Sequence, residues 1–266
     1  MTKKFTGDTR MQDSVMSNNI NSQEKESVYK INVTMSDLDS KKYLKPSSYL
    51  RLINSIIEEH LITYGVDAFS IAKYNLGWVL ISTSVNIIDP IKEPQTLYAR
   101  TWHTESNKAS FRRDGSFVNE KGEVVFEFAT YTALLNLDTH TIFRKKELPF
   151  YLSPGTKEAL FPASPSYKQK HDYIIVHDRK VFRSHLDCLG HVNNSNYGDF
   201  AYDALSEDEA KLENISKIEI FFSAELQENE SFRSIKAHNG NKTIVSAIKE
   251  NEKHSYYAVF TYKSDI

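Results

Sequence analysis

In PSSYLRLINSIIEEHLITYG, apolar residues recur at 49/50, 52/53, 56/57, 61 and 64, close to the 3.6-residue period of a helix. Pro46 or Ser47 is a suitable opening and Gly65 a suitable close, and the broad apolar stripe predicts a largely buried helix. Just before it, YKINVTM alternates Ile31, Val33 and Met35, the period of a strand. Four further strand candidates follow: WVLISTSVNII, TLYARTWHT, ASFRRDGSFV and VVFEFATYTALLNL. The pattern then repeats. YIIVHDRKVF predicts a strand, residues from about Asn194 to Leu205 a shorter helix, and SKIEIFFSA, SFRSIKAH, KTIVSAIKE and SYYAVFTYK four more strands. Polar turns such as NEKG, NGNK and ENEK join several of them.

The two series share residues as well as order. SDLDSKKYLKPSSYL at 36–50 aligns with SHLDCLGHVNNSNYG at 184–198, placing Asp39 on Asp187, Tyr43 on His191, Ser47 on Ser195 and Tyr49 on Tyr197 at a constant spacing of 148. EFATYT at 127–132 aligns with AVFTYK at 258–263 at a spacing of 131, so loop residues have been lost on the way. A duplication of about 120 residues explains both. A long helix followed by an antiparallel meander is the order of a hotdog module. The expected fold is therefore α+β: two tandem hotdog modules, each a central helix wrapped by an antiparallel sheet, forming a pseudo-dimer. The predicted boundaries are a flexible polar tail at 1–26, an N-terminal module at 27–150, a Pro-containing linker at 151–170 and a C-terminal module at 171–266.

Composition narrows the function. Of 266 residues 40% are hydrophobic, ample for a core, and a net charge of −2 hides 33 basic and 35 acidic residues, which does not describe a nucleic-acid binder. A single cysteine, Cys188, excludes an internal disulfide and a multi-Cys zinc site and fits a reducing cytoplasm. No metal or cofactor is expected. No stretch has the roughly 18 apolar residues of a membrane span, and the first residues lack the apolar core of a secretory signal.

The densest chemistry lies in HLDCLGHVNNSNYGDF at 185–200. Asn193 and Asn194 are ordinary helix-capping residues, and a lone His191 or a strand-end Glu225 is commonly a surface residue. Together, LDCLGHVNNSNYGDF resembles the D-x-N-x-H-V-N-N-x-x-Y motif of the acyl-acyl carrier protein thioesterases. GWVLISTSVNIIDP, ARTWHTESNKASFRRDGSFVNEKGEVV and IEIFFSAEL also fit that family, so the resemblance spans about residues 28–263. It implies two hotdog modules and hydrolysis of fatty acyl thioesters on acyl carrier protein, ending chain elongation. By the same resemblance the catalytic aspartate falls on Asp187, the histidine on His191 and the glutamate on Glu225, whereas the family's asparagine falls on Leu189. That departure is more like the single-hotdog coenzyme A thioesterases. An acyl-coenzyme A thioesterase and a non-catalytic acyl-binding or regulatory protein are the two alternatives.

Hydrolysis of a thioester requires donors for the developing oxyanion and a base for water. A helix starting near Val192, Asn193 and Asn194 would present free backbone N–H groups to the carbonyl. Glu225 or Asp187 could act as base, with His191 positioning the water or the carboxylate. The first half has Tyr43 at the place of His191 and Pro90 at that of Glu225, neither a base near neutral pH, so it reads as the acyl-chain holder. Leu52, Ile53, Ile56, Ile57 and Trp78 are its candidate lining. A pseudo-dimer of this kind works as a monomer or as half of a homodimer.

Because acyl carrier proteins are acidic, docking on this slightly acidic chain needs a local basic surface. The candidates are Arg112 and Arg113 in one cluster and Arg144, Lys145 and Lys146 in the other. Replacing Arg144, Lys145 and Lys146 together with Glu should raise the KM for acyl-carrier protein, and added salt should shrink the effect, since screening acts over about 8 to 10 Å. Hydrolysis of the same acyl group on a small thiol, measured in parallel, should barely change.

Overall fold

The computed structural model describes residues 27–106, 109–144, 147–152 and 157–264. The tail expected at 1–26, part of the expected linker, and Lys145 and Lys146 lie outside the described residues.

Chain order begins with β1 (Tyr29–Val33), whose burial alternates as the pattern predicted up to Val33. Met35 leaves the strand for a 3-10 turn over Met35–Asp37 and is 78% exposed, so the alternation there was coincidental. The long helix α1 spans Pro46–Thr63 with proline in its first turn, where the missing N–H costs no hydrogen bond. Its end is closed by Gly65 at φ 65°, with Gly65 N–H donating to Ile62 O and Val66 N–H to Leu61 O, the paired bonds of a Schellman cap. A short helix α2 (Ala68–Ala72), capped by Asp67 accepting from Phe69 and Ser70 amides, lies outside the sequence expectation. The meander follows as β2 (Leu76–Ile87), β3 (Gln95–Ser106), β4 (Phe111–Val118) and β5 (Val124–Asn136), with the two-residue β6 (Thr141–Ile142) paired to β5.

The second half runs β7 (Ile174–Lys180), α3 (Asn196–Tyr202), β8 (Ile215–Phe222), β9 (Ser231–Asn239), β10 (Lys242–Lys249) and β11 (His254–Tyr262). Helix α3 is shorter than the predicted 194–205: the chain from Asn193 to Ser195 forms a side-chain-braced turn instead.

All strands join one antiparallel sheet in the order β1-β3-β4-β5-β2-β8-β11-β10-β9-β7. Each half repeats the other in mirror sequence outward from the centre. The seam is β2 against β8, where Ser82–Asn86 pair in register with Phe221–Lys217. The sheet wraps the two helices, which meet at their N-terminal ends: a Cβ at Gly198 would lie 2.7 Å from Ser47 N. No larger residue fits at 198 without moving that backbone. The main core, including Tyr49, Ile53, Phe126, Phe200 and Tyr256, is continuous between helices and sheet across both halves.

The other face of the seam is covered by the connection between the halves. Ser82 Oγ donates to Ser164 O (2.9 Å) on β2, and Lys217 Nζ to Pro162 O (3.3 Å) on β8. On β4, Arg112 makes two bonds of 2.8 Å to the Asp114 carboxylate and reaches Phe161 O at 2.7 Å. Asp114 in turn accepts from Leu160 N (3.2 Å) and Thr104 Oγ1 (2.7 Å) and is fully buried. The linker is thus a strap bonded across the sheet. Asp114→Ala should cost about 3 to 5 kcal/mol in denaturant unfolding, because it strands the buried Arg112 charge.

Candidate active site

The segment before α3 is an Asp-braced turn. Asp187 Oδ1 accepts the amides of Leu189 (2.9 Å) and His191 (3.1 Å), Asp187 N donates to His191 O (2.8 Å), and Gly190 N donates to Asp187 O (3.1 Å). Gly190 takes φ 82°, which glycine adopts freely. The first half builds the same turn at the spacing of 148. Asp39 Oδ1 accepts from Lys41 N (2.9 Å) and Tyr43 N (2.8 Å), and Lys42 holds φ 70°. Asp187 therefore has a structural task that its counterpart Asp39 shares. It orients His191 through the backbone amide, not through the ring.

Across from this turn stands Glu225, with Oε2 3.7 Å from His191 Nε2, close enough for an ion pair but longer than a hydrogen bond; both side chains are solvent-accessible. Three contacts hold the Glu225 segment. Lys249 Nζ donates to Glu225 O (2.7 Å), Leu226 N donates to Tyr197 OH (3.4 Å), and Ser255 O accepts the amides of Ser223 and Ala224 at 2.8 and 3.0 Å. Lys249 was not anticipated: it reaches Glu225 from the end of β10, a contact between distant parts of the chain that no local pattern signals. Tyr197 carried a signal, since Tyr49 repeats it and likewise bonds the Ile91 backbone.

The expected oxyanion donors are sorted by the structure. Asn193 N donates to His185 O (2.9 Å), and its side chain braces Ser195, so Asn193 is a capping residue and not a carbonyl donor. The amides of Val192 and Asn194 have no hydrogen-bond partner among the described residues. In the first half the corresponding positions are closed: Leu44 N donates to Ile91 O at 3.0 Å, and Pro46 has no N–H. One half thus frees two amides where the other uses or lacks them.

Asn194 also borders a cavity of about 170 Å³ that runs into the first half, walled by Ile57 and Leu61 of α1, Trp78 and Leu80 of β2, and Phe111 of β4. Trp78 is fixed there by its Nε1 donating to Val66 O (2.8 Å). Of the predicted chain-holding residues, Ile57 and Trp78 line this cavity. Leu52, Ile53 and Ile56 face the closed core instead, one helical step round α1.

Of the docking candidates, Arg144 is exposed. Arg112 and Arg113 are 6% and 8% exposed and cannot form a docking surface: strand alternation points Arg112 under the linker and Arg113 towards α1, and both faces are covered there. Leu189 is 61% exposed at the tip of the turn. Cys188 beside it is exposed too.

The chain is similar in fold to an acyl-ACP thioesterase from Bacteroides thetaiotaomicron at 15% identity and a TM-score of 0.74, over 89% of this chain and 97% of that one. It is also similar to the 12:0-ACP thioesterase from Umbellularia californica, at 15% identity and a TM-score of 0.70, again over 89% of this chain and 97% of the other. No curated protein sequence matches it. The family models are decisive: the acyl-ACP thioesterase N-terminal domain matches residues 24–147 and the C-terminal domain residues 168–260. With well over half its length matched by both domains in order, and with the two-hotdog fold in hand, the chain belongs to the acyl-ACP thioesterase family.

Proposed function

We propose that the chain hydrolyses fatty acyl-acyl carrier protein, with the chemistry in the second half and the acyl chain held in the first. Membership in the family makes it a thioester hydrolase. The observation that carries the division of labour is the cavity from the first half ending at Asn194, beside the His191–Glu225 pair.

In this reading the acyl chain enters the cavity and its thioester carbonyl turns to the free amides of Val192 and Asn194. These stabilise the oxyanion as the carbonyl carbon becomes tetrahedral. Glu225 takes a proton from a water molecule that His191 holds in place, and the resulting hydroxide attacks the carbon. Collapse of the intermediate breaks the C–S bond, and the proton passes from Glu225 to the departing thiolate. The acid and the carrier thiol leave. Asp187 keeps the turn, and with it both amides, in position. Among the docking candidates the exposed Arg144 is retained as a carrier contact. Leu189 projects away from the turn and gives no ground for preferring coenzyme A.

His191→Ala and Glu225→Ala should each lower turnover of acyl-carrier protein by a factor on the order of 10² or more. Both side chains are accessible, so melting temperatures should stay at the wild-type value; a fully active, folded Glu225→Ala protein removes Glu225 from the mechanism. Running matched acyl-carrier protein and acyl-coenzyme A substrates in the same assay tests the carrier, with a lower kcat/KM expected for coenzyme A. Leu189→Asn should change unfolding free energy by less than about 0.5 kcal/mol, as at other exposed positions. A larger loss on denaturant titration means that the leucine packs against something in solution.

A further inference from the structure

The acyl cavity is not lined as a hydrocarbon tunnel. Opposite Ile57 and Trp78, its wall contains Arg113 of β4, flanked by His103 of β3 and by Thr130 and Thr132 of β5, with Asn54 contributed by α1. Arg113 is buried, its Nη1 has no hydrogen-bond partner, and among the described residues no carboxylate pairs with it. The neighbouring guanidinium shows the contrast: Arg112, one residue earlier, is bonded on three sides to Asp114, Tyr131 and Phe161.

Among the described residues no carboxylate offsets its charge. Burial lowers its pKa to about 10, so it remains a cation at neutral pH. His60, on the last turns of α1, is held down to about 4 by burial and by the Arg113 charge, so it stays neutral. An uncompensated buried guanidinium is costly, and filling the cavity with methylene groups would leave that cost in place. An oxygen acceptor on the incoming chain would remove it. The cost of an unpaired buried donor is also what allows a pocket to reject a substrate lacking the matching group.

Building on the thioesterase reading, we infer that the preferred acyl group carries an oxygen, as a hydroxyl, oxo or carboxylate group along or at the end of the chain, and that Arg113 donates to it from the cavity wall. Arg113 is then the residue that determines substrate class, distinct from the groups at the thioester.

The test uses the full chain and four eight-carbon acyl groups on carrier protein: octanoyl, 3-hydroxyoctanoyl, 8-hydroxyoctanoyl and the ω-carboxylated chain. At least one oxygenated substrate should exceed octanoyl in kcat/KM by on the order of tenfold or more, the worth of a hydrogen bond from a charged donor. Arg113→Met should abolish that preference, bringing the kcat/KM ratio of oxygenated substrate to octanoyl down to about one; replacing a buried charge by an apolar side chain of similar length is commonly tolerated by the fold. The inference is overturned if wild type prefers octanoyl over all three, or if Arg113→Met lowers every substrate by one common factor. Loss of turnover with all four in wild type sinks the thioesterase reading instead. The pocket is then judged by melting with the free acids: protection by an oxygenated acid over octanoate, lost in Arg113→Met, supports Arg113, and equal protection overturns it.

Discussion

The pairing of β2 with β8 is the contact on which the rest of the molecule depends. Five residues on each side, Ser82–Asn86 and Lys217–Phe221, turn two half-sheets into one. That register brings α1 and α3 end to end, so that Gly198 lies against the backbone of Ser47. The turn before α3 is then carried to the mouth of the cavity in the other half. A slip of one residue at the seam would turn alternate side chains to the opposite face and separate the cavity from the turn.

Within this near-symmetric frame the chemistry comes from small departures from symmetry. The aspartate brace is present twice, at Asp39 and Asp187, with matching hydrogen bonds. What differs is the use of the amides and the side chain carried at the end of the turn. Leu44 and Pro46 leave no free amide in the first turn, which carries Tyr43, whereas Val192 and Asn194 leave theirs open in the second, which carries His191. The long α1 walls a cavity, and the turn before the short α3 brings Asn194 to it. The proposed function thus separates binding and catalysis between halves that share a backbone plan.

The fold was readable because its signals are local and repeated. The helical period of α1, the turn residues of the hairpins and the 148-residue spacing each reflect a backbone requirement that a particular residue type meets. His191 and Glu225 were each reached through the family motif, and the structure brings the two together. Less legible were features that depend on what covers a strand. Arg112 and Arg113 read as a basic surface because adjacent charges in a strand usually leave at least one side exposed. Here the linker lies on one face and α1 on the other, so both are buried, and no pattern within FRRDG shows it. The exposure of Leu189 was equally illegible: the Asp187 brace holds the turn by its backbone and leaves that apolar side chain outside.

The linker has a consequence in mass action. Two separate hotdog chains forming this seam would associate with a strength that falls on dilution, and their stability would be inseparable from protomer concentration. Joined by a strap bonded to β2, β4 and β8, the halves meet at a fixed effective concentration however scarce the protein is. Assembly of the site becomes a first-order event within one chain. A cell holding few copies of this protein would still hold every one of them with its cavity and the turn at 187–195 in contact.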